Sequence, residues 1–254
     1  MLTIRKDQVR VFEEQKLKAF IDEMVKHISE FSPEQFEIIK EPDVRKIISL
    51  GIQTAESYGF TLRGPLQFYL EMMFMLGSDF DTDPQYMWIR EMLMDKSEKD
   101  QMKRADLLYD KVIDFLDQMM GEDYEYEIGA LKKFVMIPFS DFQEFNNESP
   151  AEYVLKIKEL FPEKVNLIDE QSFYQLHEHS SSLSRKLSIS VDGGIAISFS
   201  LMFIFGHGCF TDLQYPWIKN TIHGSAGISA AEINHRLYSK MMIFFEKALN
   251  NLQK

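Results

Sequence analysis

Apolar residues recur along most of this chain at spacings of three and four, the period of a helix with one buried face. From Phe12 onward, Phe12, Leu17, Phe20, Ile21, Met24, Val25 and Ile28 fall on a single stripe. Ser32 before Pro33, with Glu34 in the first turn, opens a second helix. Asp43 opens a third, which carries Val44, Ile47, Ile48 and Ile52 toward a terminal Tyr58-Gly59. Pro65 to Leu76 is nearly all apolar, as a buried helix would be, and Gly77 ends it. Asp83-Pro84 starts a short helix that carries Tyr86 and Trp88 to Met92. Met102, Ala105, Leu108, Val112, Phe115 and Leu116 mark the inner face of a helix from Glu98 to Met120.

The pattern then repeats. Displaced by 129 positions, the stretch 72–89 meets 201–218 without a gap, and nine of 18 residues are identical where composition alone predicts about one. Gly77, Thr82, Asp83 and Trp88 fall on Gly206, Thr211, Asp212 and Trp217. The register holds upstream, with Phe31, Pro33 and Glu34 on Leu160, Pro162 and Glu163, and downstream, with Leu108-Tyr109 on Leu237-Tyr238. The expectation is an all-α protein of two tandem homologous modules, 1–128 and 129–254. By itself KLSISVDGGIAISFSLMFIF has β-propensity, with Asp192-Gly193-Gly194 as a hairpin signal, but its register with the helical first copy favours helix-turn-helix. Pro138 falls on Val9, near where the opening helix of the first copy begins, so its counterpart starts later. The stretch 129–147, rich in Phe134, Val135, Ile137, Phe139 and Phe142, then reads as a packed linker.

Charge separates the copies. The whole chain carries 28 Lys and Arg against 40 Asp and Glu, a formal charge of -12, which disfavours nucleic acid and anionic membranes and suits a basic protein partner. Residues 1–129 hold 16 basic and 27 acidic side chains, and residues 130–254 hold 12 and 13. The acidity gathers at Asp79, Asp81 and Asp83, and along Asp106, Asp110, Asp114 and Asp117 to Glu122 and Asp123. Four aspartates on one helix face repel each other, so the face is either merely solvated or kept for a cationic partner. One cysteine, Cys209, cannot form an internal disulfide, which fits a reducing compartment and equally a periplasmic protein without disulfides. With neither an apolar leader nor a run long enough for a membrane span, the sequence suggests a cytoplasmic protein.

Candidate chemistry is sparse. Asp79, Asp81 and Asp83 alternate as at the start of a calcium loop, but Pro84 and Arg90 stand where such a loop needs glycine and glutamate. Asp83 and Asp212 read as helix N-caps, and Gly77 and Gly206 as helix ends, which leaves Asp79 and Asp81 as exposed acidic contacts. His207, Cys209, His223, His177 and His179 match no zinc spacing. No nucleophile motif, phosphate loop or dinucleotide fingerprint occurs, so neither catalytic residues nor cofactor are expected. The aromatic pairs Tyr86/Trp88 and Tyr215/Trp217, and the many methionines, read first as core.

The run Leu76-Gly77-Ser78-Asp79-Phe80-Asp81-Thr82-Asp83-Pro84, followed by Trp88, resembles a group of small, poorly characterised helical bacterial proteins encoded beside spike, tip and effector genes of type VI secretion systems. The resemblance covers the first module, including Phe31-Ser32-Pro33-Glu34, Tyr58-Gly59-Phe60-Thr61 and Leu107-Leu108-Tyr109. The second module departs from it, with Gly206-His207-Gly208-Cys209-Phe210 in place of the acidic loop. The resemblance implies an immunity or accessory protein and supplies no catalytic residue. The leading expectation is therefore an immunity protein that neutralises a basic toxin through the acidic first module. An effector-loading chaperone or adaptor, and an enzyme with a site between the modules, are the alternatives.

Overall fold

The amphipathic stripes fold as helices throughout the computed structural model, which describes residues 6–144, 150–224 and 227–252. In the first half, α1 (Lys6–Phe31), α2 (Pro33–Ile39), α3 (Glu41–Ser57), α4 (Arg63–Leu76), α5 (Met87–Met94) and α6 (Gln101–Met120) follow one another. Then come α7 (Glu125–Phe134) and α8 (Phe139–Glu144), and after them α9 (Pro150–Leu160), α10 (Pro162–Asn166), α11 (Glu170–Lys186), α12 (Gly194–Phe205), α13 (Pro216–His223) and α14 (Ala230–Leu252). Among the described residues there is no strand, and no helix is long and apolar enough to cross a membrane.

Helix boundaries recur at the offset of 129. Glu41 and Glu170 begin α3 and α11, and Ser57 and Lys186 end them; Gln101 and Ala230 begin α6 and α14; Leu76 and Phe205 end α4 and α12. Burial follows the same division. One apolar core is drawn from Met24 to Leu116, with Ile28, Ile48, Tyr69, Leu70, Met72 and Val112 sealed inside; the other runs from Ala130 to Leu249 around Phe134, Leu176, Phe199, Phe203 and Leu237. Each such side chain contributes about 1.5–3 kcal/mol on leaving water.

Local signals set the helix ends. Asp100 accepts the Met102 amide at 3.0 Å and Asp169 accepts the Ser172 amide at 2.9 Å, both as N-caps. Gly77 and Gly206 close α4 and α12 at φ 99° and 91°. The stretch after Lys186 turns through Ser188, Asp192 and Gly193, all at positive φ, and enters α12 as a helix, not as a hairpin.

Four expectations change. The third helix begins at Glu41, with Asp43 in its first turn rather than at its cap. Phe12 and Leu17 are exposed, because only the C-terminal half of α1 reaches the core, through Met24, Val25 and Ile28. Met102 is exposed as well. The stretch 129–147 packs as expected where it is described, but as helices of the second half and not as a linker. It forms most of α7 and all of α8, and Phe134, Ile137 and Phe142 belong to the second core. Residues 145–147 of that stretch lie outside the described residues.

Candidate functional site

The motif that occurs in both halves builds the contact between them. Asp83 Oδ1 caps its own turn by accepting the Gln85 amide at 2.9 Å, and its Oδ2 accepts the His207 amide of the other half at 2.6 Å. Asp212 does the same in reverse, with the Gln214 amide at 2.9 Å and the Ser78 amide at 2.9 Å. Gln85 Nε2 donates to the Met202 carbonyl at 3.2 Å, and Gln214 Nε2 donates to the Met73 carbonyl at 2.8 Å. Every one of these bonds has its mate 129 residues away. The carbonyls of α4 and α12 and the amides of the opposite loop are thus satisfied across the seam, as buried backbone groups must be.

Glycine is required where the loops touch. A Cβ on Gly77 would lie 2.7 Å from the Phe205 carbonyl oxygen, and one on Gly206 would lie 2.9 Å from that of Leu76. Trp88 and Trp217 are half-buried, against Phe115 at 5.5 Å and Phe244 at 6.1 Å. The exposed Thr82 and Thr211 hydroxyls donate to the carbonyls of Asp79 and Gly208.

The acidic loop is exposed as expected at Asp79 but not at Asp81. Asp81 is buried and accepts the Tyr58 hydroxyl at 2.8 Å, so its carboxylate is consumed within the first half. Asp79 is exposed on its outer side, but its Oδ2 would lie 2.0 Å from a Cβ on Gly208, its counterpart across the seam. Desolvation, and then the charge of Asp212, raise its carboxyl. One aspartate therefore fills the space that two would contest, and this accounts for glycine at position 208. Phe210, standing at the place of Asp81, is buried.

The other acidic group lies open. Asp106, Asp110, Asp114 and Asp117 on α6, with Glu122 and Asp123 beyond it, are all exposed. Asp114 accepts Gln118 Nε2 at 2.8 Å, and among the described residues none of the six carboxylates forms an ion pair.

Lys164 breaks the symmetry of the seam and was not singled out by the sequence. Its counterpart Gln35 donates to Gln214 Oε1 at 2.7 Å, whereas Lys164 Nζ donates to the Phe203 carbonyl and leaves Gln85 Oε1 without a partner. The ammonium lies 4.4 Å from the Phe203 ring centre and borders a cavity of ≈ 80 Å³ beneath α7, walled by Met75, Met119, Leu131, Phe161 and Ile204. Burial pushes Lys164 down to about 8, opposed by the charges of Asp83 and Glu127. Burial raises the carboxyls of Asp83 and Glu127 in turn. A small, mostly apolar cavity with one lysine and two glutamates, Glu127 and Glu163, on its wall reads as a packing defect between the halves. His179 and His207 meet edge-on at 5.4 Å and Cys209 is buried, but among the described residues no three His, Cys, Asp or Glu side chains are placed to hold a metal ion.

Comparison with protein families, with curated proteins and with solved structures finds no match to this chain.

Proposed function

We propose that this chain is an immunity-type binding protein, formed by duplication of one helical module, that neutralises a basic bacterial toxin through the acidic ridge of α6. The carrying observation is the row Asp106, Asp110, Asp114 and Asp117, exposed and free of ion pairs along one helix face. Like charges at this spacing destabilise a helix by a few tenths of a kcal/mol per pair, a cost that a cationic partner would convert into attraction. The counterparts of these residues on α14 are His235, Ser239, Ile243 and Glu246, so the charge belongs to one copy. In this reading the second copy completes the seam and supports the first. The type VI assignment rests on the resemblance of the Leu76–Pro84 run, and duplication on the 129-residue register together with the reciprocal seam bonds.

Co-expression with the effector encoded by the neighbouring gene tests the reading. The wild-type chain should protect growth, and Asp106→Lys/Asp110→Lys/Asp114→Lys/Asp117→Lys should not, while its helical circular dichroism stays unchanged. Full protection by the folded variant would refute the ridge as the contact.

A further inference from the structure

In the second half, α8 covers a face formed by the start of α12 and by α14. Phe139 meets the rings of His235 at 5.0 Å and Tyr238 at 5.3 Å, and Phe142 meets Tyr238 at 5.5 Å. The Tyr238 hydroxyl donates to the Ile137 carbonyl at 2.7 Å. The approach is so close that a Cβ on Gly193 would lie 2.5 Å from the Phe142 carbonyl oxygen.

At the offset of 129, His235, Tyr238 and Met242 become Asp106, Tyr109 and Ile113, and Gly193 becomes Gly64. The sequence counterpart of α8, residues 10–15, is part of the unbroken α1, which packs on α2 and α3 instead. The first-half face is consequently open. Tyr109 is 50% and Ile113 36% exposed, against 7% for Met242 in the covered half. Met102, also exposed, continues the stripe on α6 with spacings of four, three and four through Asp106, Tyr109 and Ile113, and lies over Gly64. Phe68 underlies it, edge-on to Tyr109 at 5.5 Å. Single exposed apolar residues are ordinary, but a contiguous row beside unpaired carboxylates marks an interaction surface.

We propose that this α4/α6 face docks a short basic segment of the partner, seated as α8 is seated in the second half, an aromatic side chain against Tyr109 and Ile113 and cationic side chains beside Asp106 and Asp110. The proposal rests on the duplication and the acidic-ridge reading above. Complementarity selects the occupant. His235 faces the acidic α8, which carries Asp141 and Glu144, whereas Asp106 at the matching place, with Asp110 one turn on, would repel such a segment and attract its basic counterpart.

The probe is a fluorescent peptide of residues 136–144 carrying Asp141→Lys and Glu144→Lys, titrated into the full chain by anisotropy, with the unmodified peptide as control. The basic peptide should bind at least about tenfold more tightly than the control, and Tyr109→Ala/Ile113→Ala should weaken it by about tenfold while leaving every ridge carboxylate in place. Absence of binding, or equal binding to the double variant, overturns the docking face. Either result leaves growth protection by the ridge to be judged by its own test, so the two failures are distinguishable. Amide shifts confined to Gly64, Met102, Asp106 and Tyr109 in a ¹⁵N spectrum should accompany binding; shifts confined elsewhere would count against it.

Discussion

Lys164 stands where the first half has Gln35, and the exchange puts an amine where the symmetric arrangement has an amide. Its ammonium is disfavoured by burial, which lowers it from 10.5 to about 8. Between those two values the unfolded chain holds the proton and the folded chain does not, so stability rises with pH across that window; below about 8 both states are protonated and the penalty is felt in full. The free energy of unfolding of the wild type, taken relative to Lys164→Met, should therefore climb by on the order of 2–3 kcal/mol from pH 8 to pH 10.5. Urea titrations of both proteins at several pH values measure it, and a flat difference would mean that the amine is not desolvated. Neither Lys164 nor the buried state of Asp81 was legible in the sequence. An isolated lysine has no periodic signature, and an aspartate that accepts a tyrosine hydroxyl looks the same in sequence as one that faces water.

At the scale of elements, helix positions were legible because apolar spacing agrees with the prolines that open α2 and α3, the glycine that closes α4 and the Asp83 cap of the turn before α5. The extent of α1 was not, since a stripe that includes Phe12 and Leu17 gives no sign of where the core stops. The helices of 129–144 were not legible, because at the offset of 129 they meet the start of the unbroken α1, and Pro138 on Val9 points to a later helix start. The seam loops stand out in sequence as a motif common to both halves, yet Gln85 and Gln214 acquire a reason only through the carbonyls they meet on the other half. Gly77 and Gly206 have ψ 151° and 154° at φ near +90°, a region held almost only by glycine, and each faces a carbonyl oxygen of the other loop. Gly77→Ala and Gly206→Ala should each cost roughly 2–4 kcal/mol. Gly129→Ala, on α7 with open space around it, should instead be neutral or stabilise by about 0.5–1 kcal/mol. Chemical denaturation of the three variants checks this. Equal effects at positions 77 and 129 would show that the loops do not need their close approach.

For the whole molecule, a charge of -12 placed chiefly in one half gives a field with direction. The seam consumes Asp83 and Asp212 and Tyr58 consumes Asp81, whereas α6 and the turn after it carry six exposed carboxylates that form no ion pair among the described residues. A face of that kind speeds encounter with a cationic partner and does so less at high salt, since screening sets in beyond about 10 Å at 0.1 M. The most direct measurement is the association rate constant of the chain with the basic toxin proposed as its partner, at low and high ionic strength. The account predicts a wild-type rate that falls by about tenfold or more between about 0.05 and 0.5 M salt, and a slow, nearly salt-independent rate for the Asp106→Lys/Asp110→Lys/Asp114→Lys/Asp117→Lys variant. Rates and salt dependence that are the same for the two proteins would contradict it.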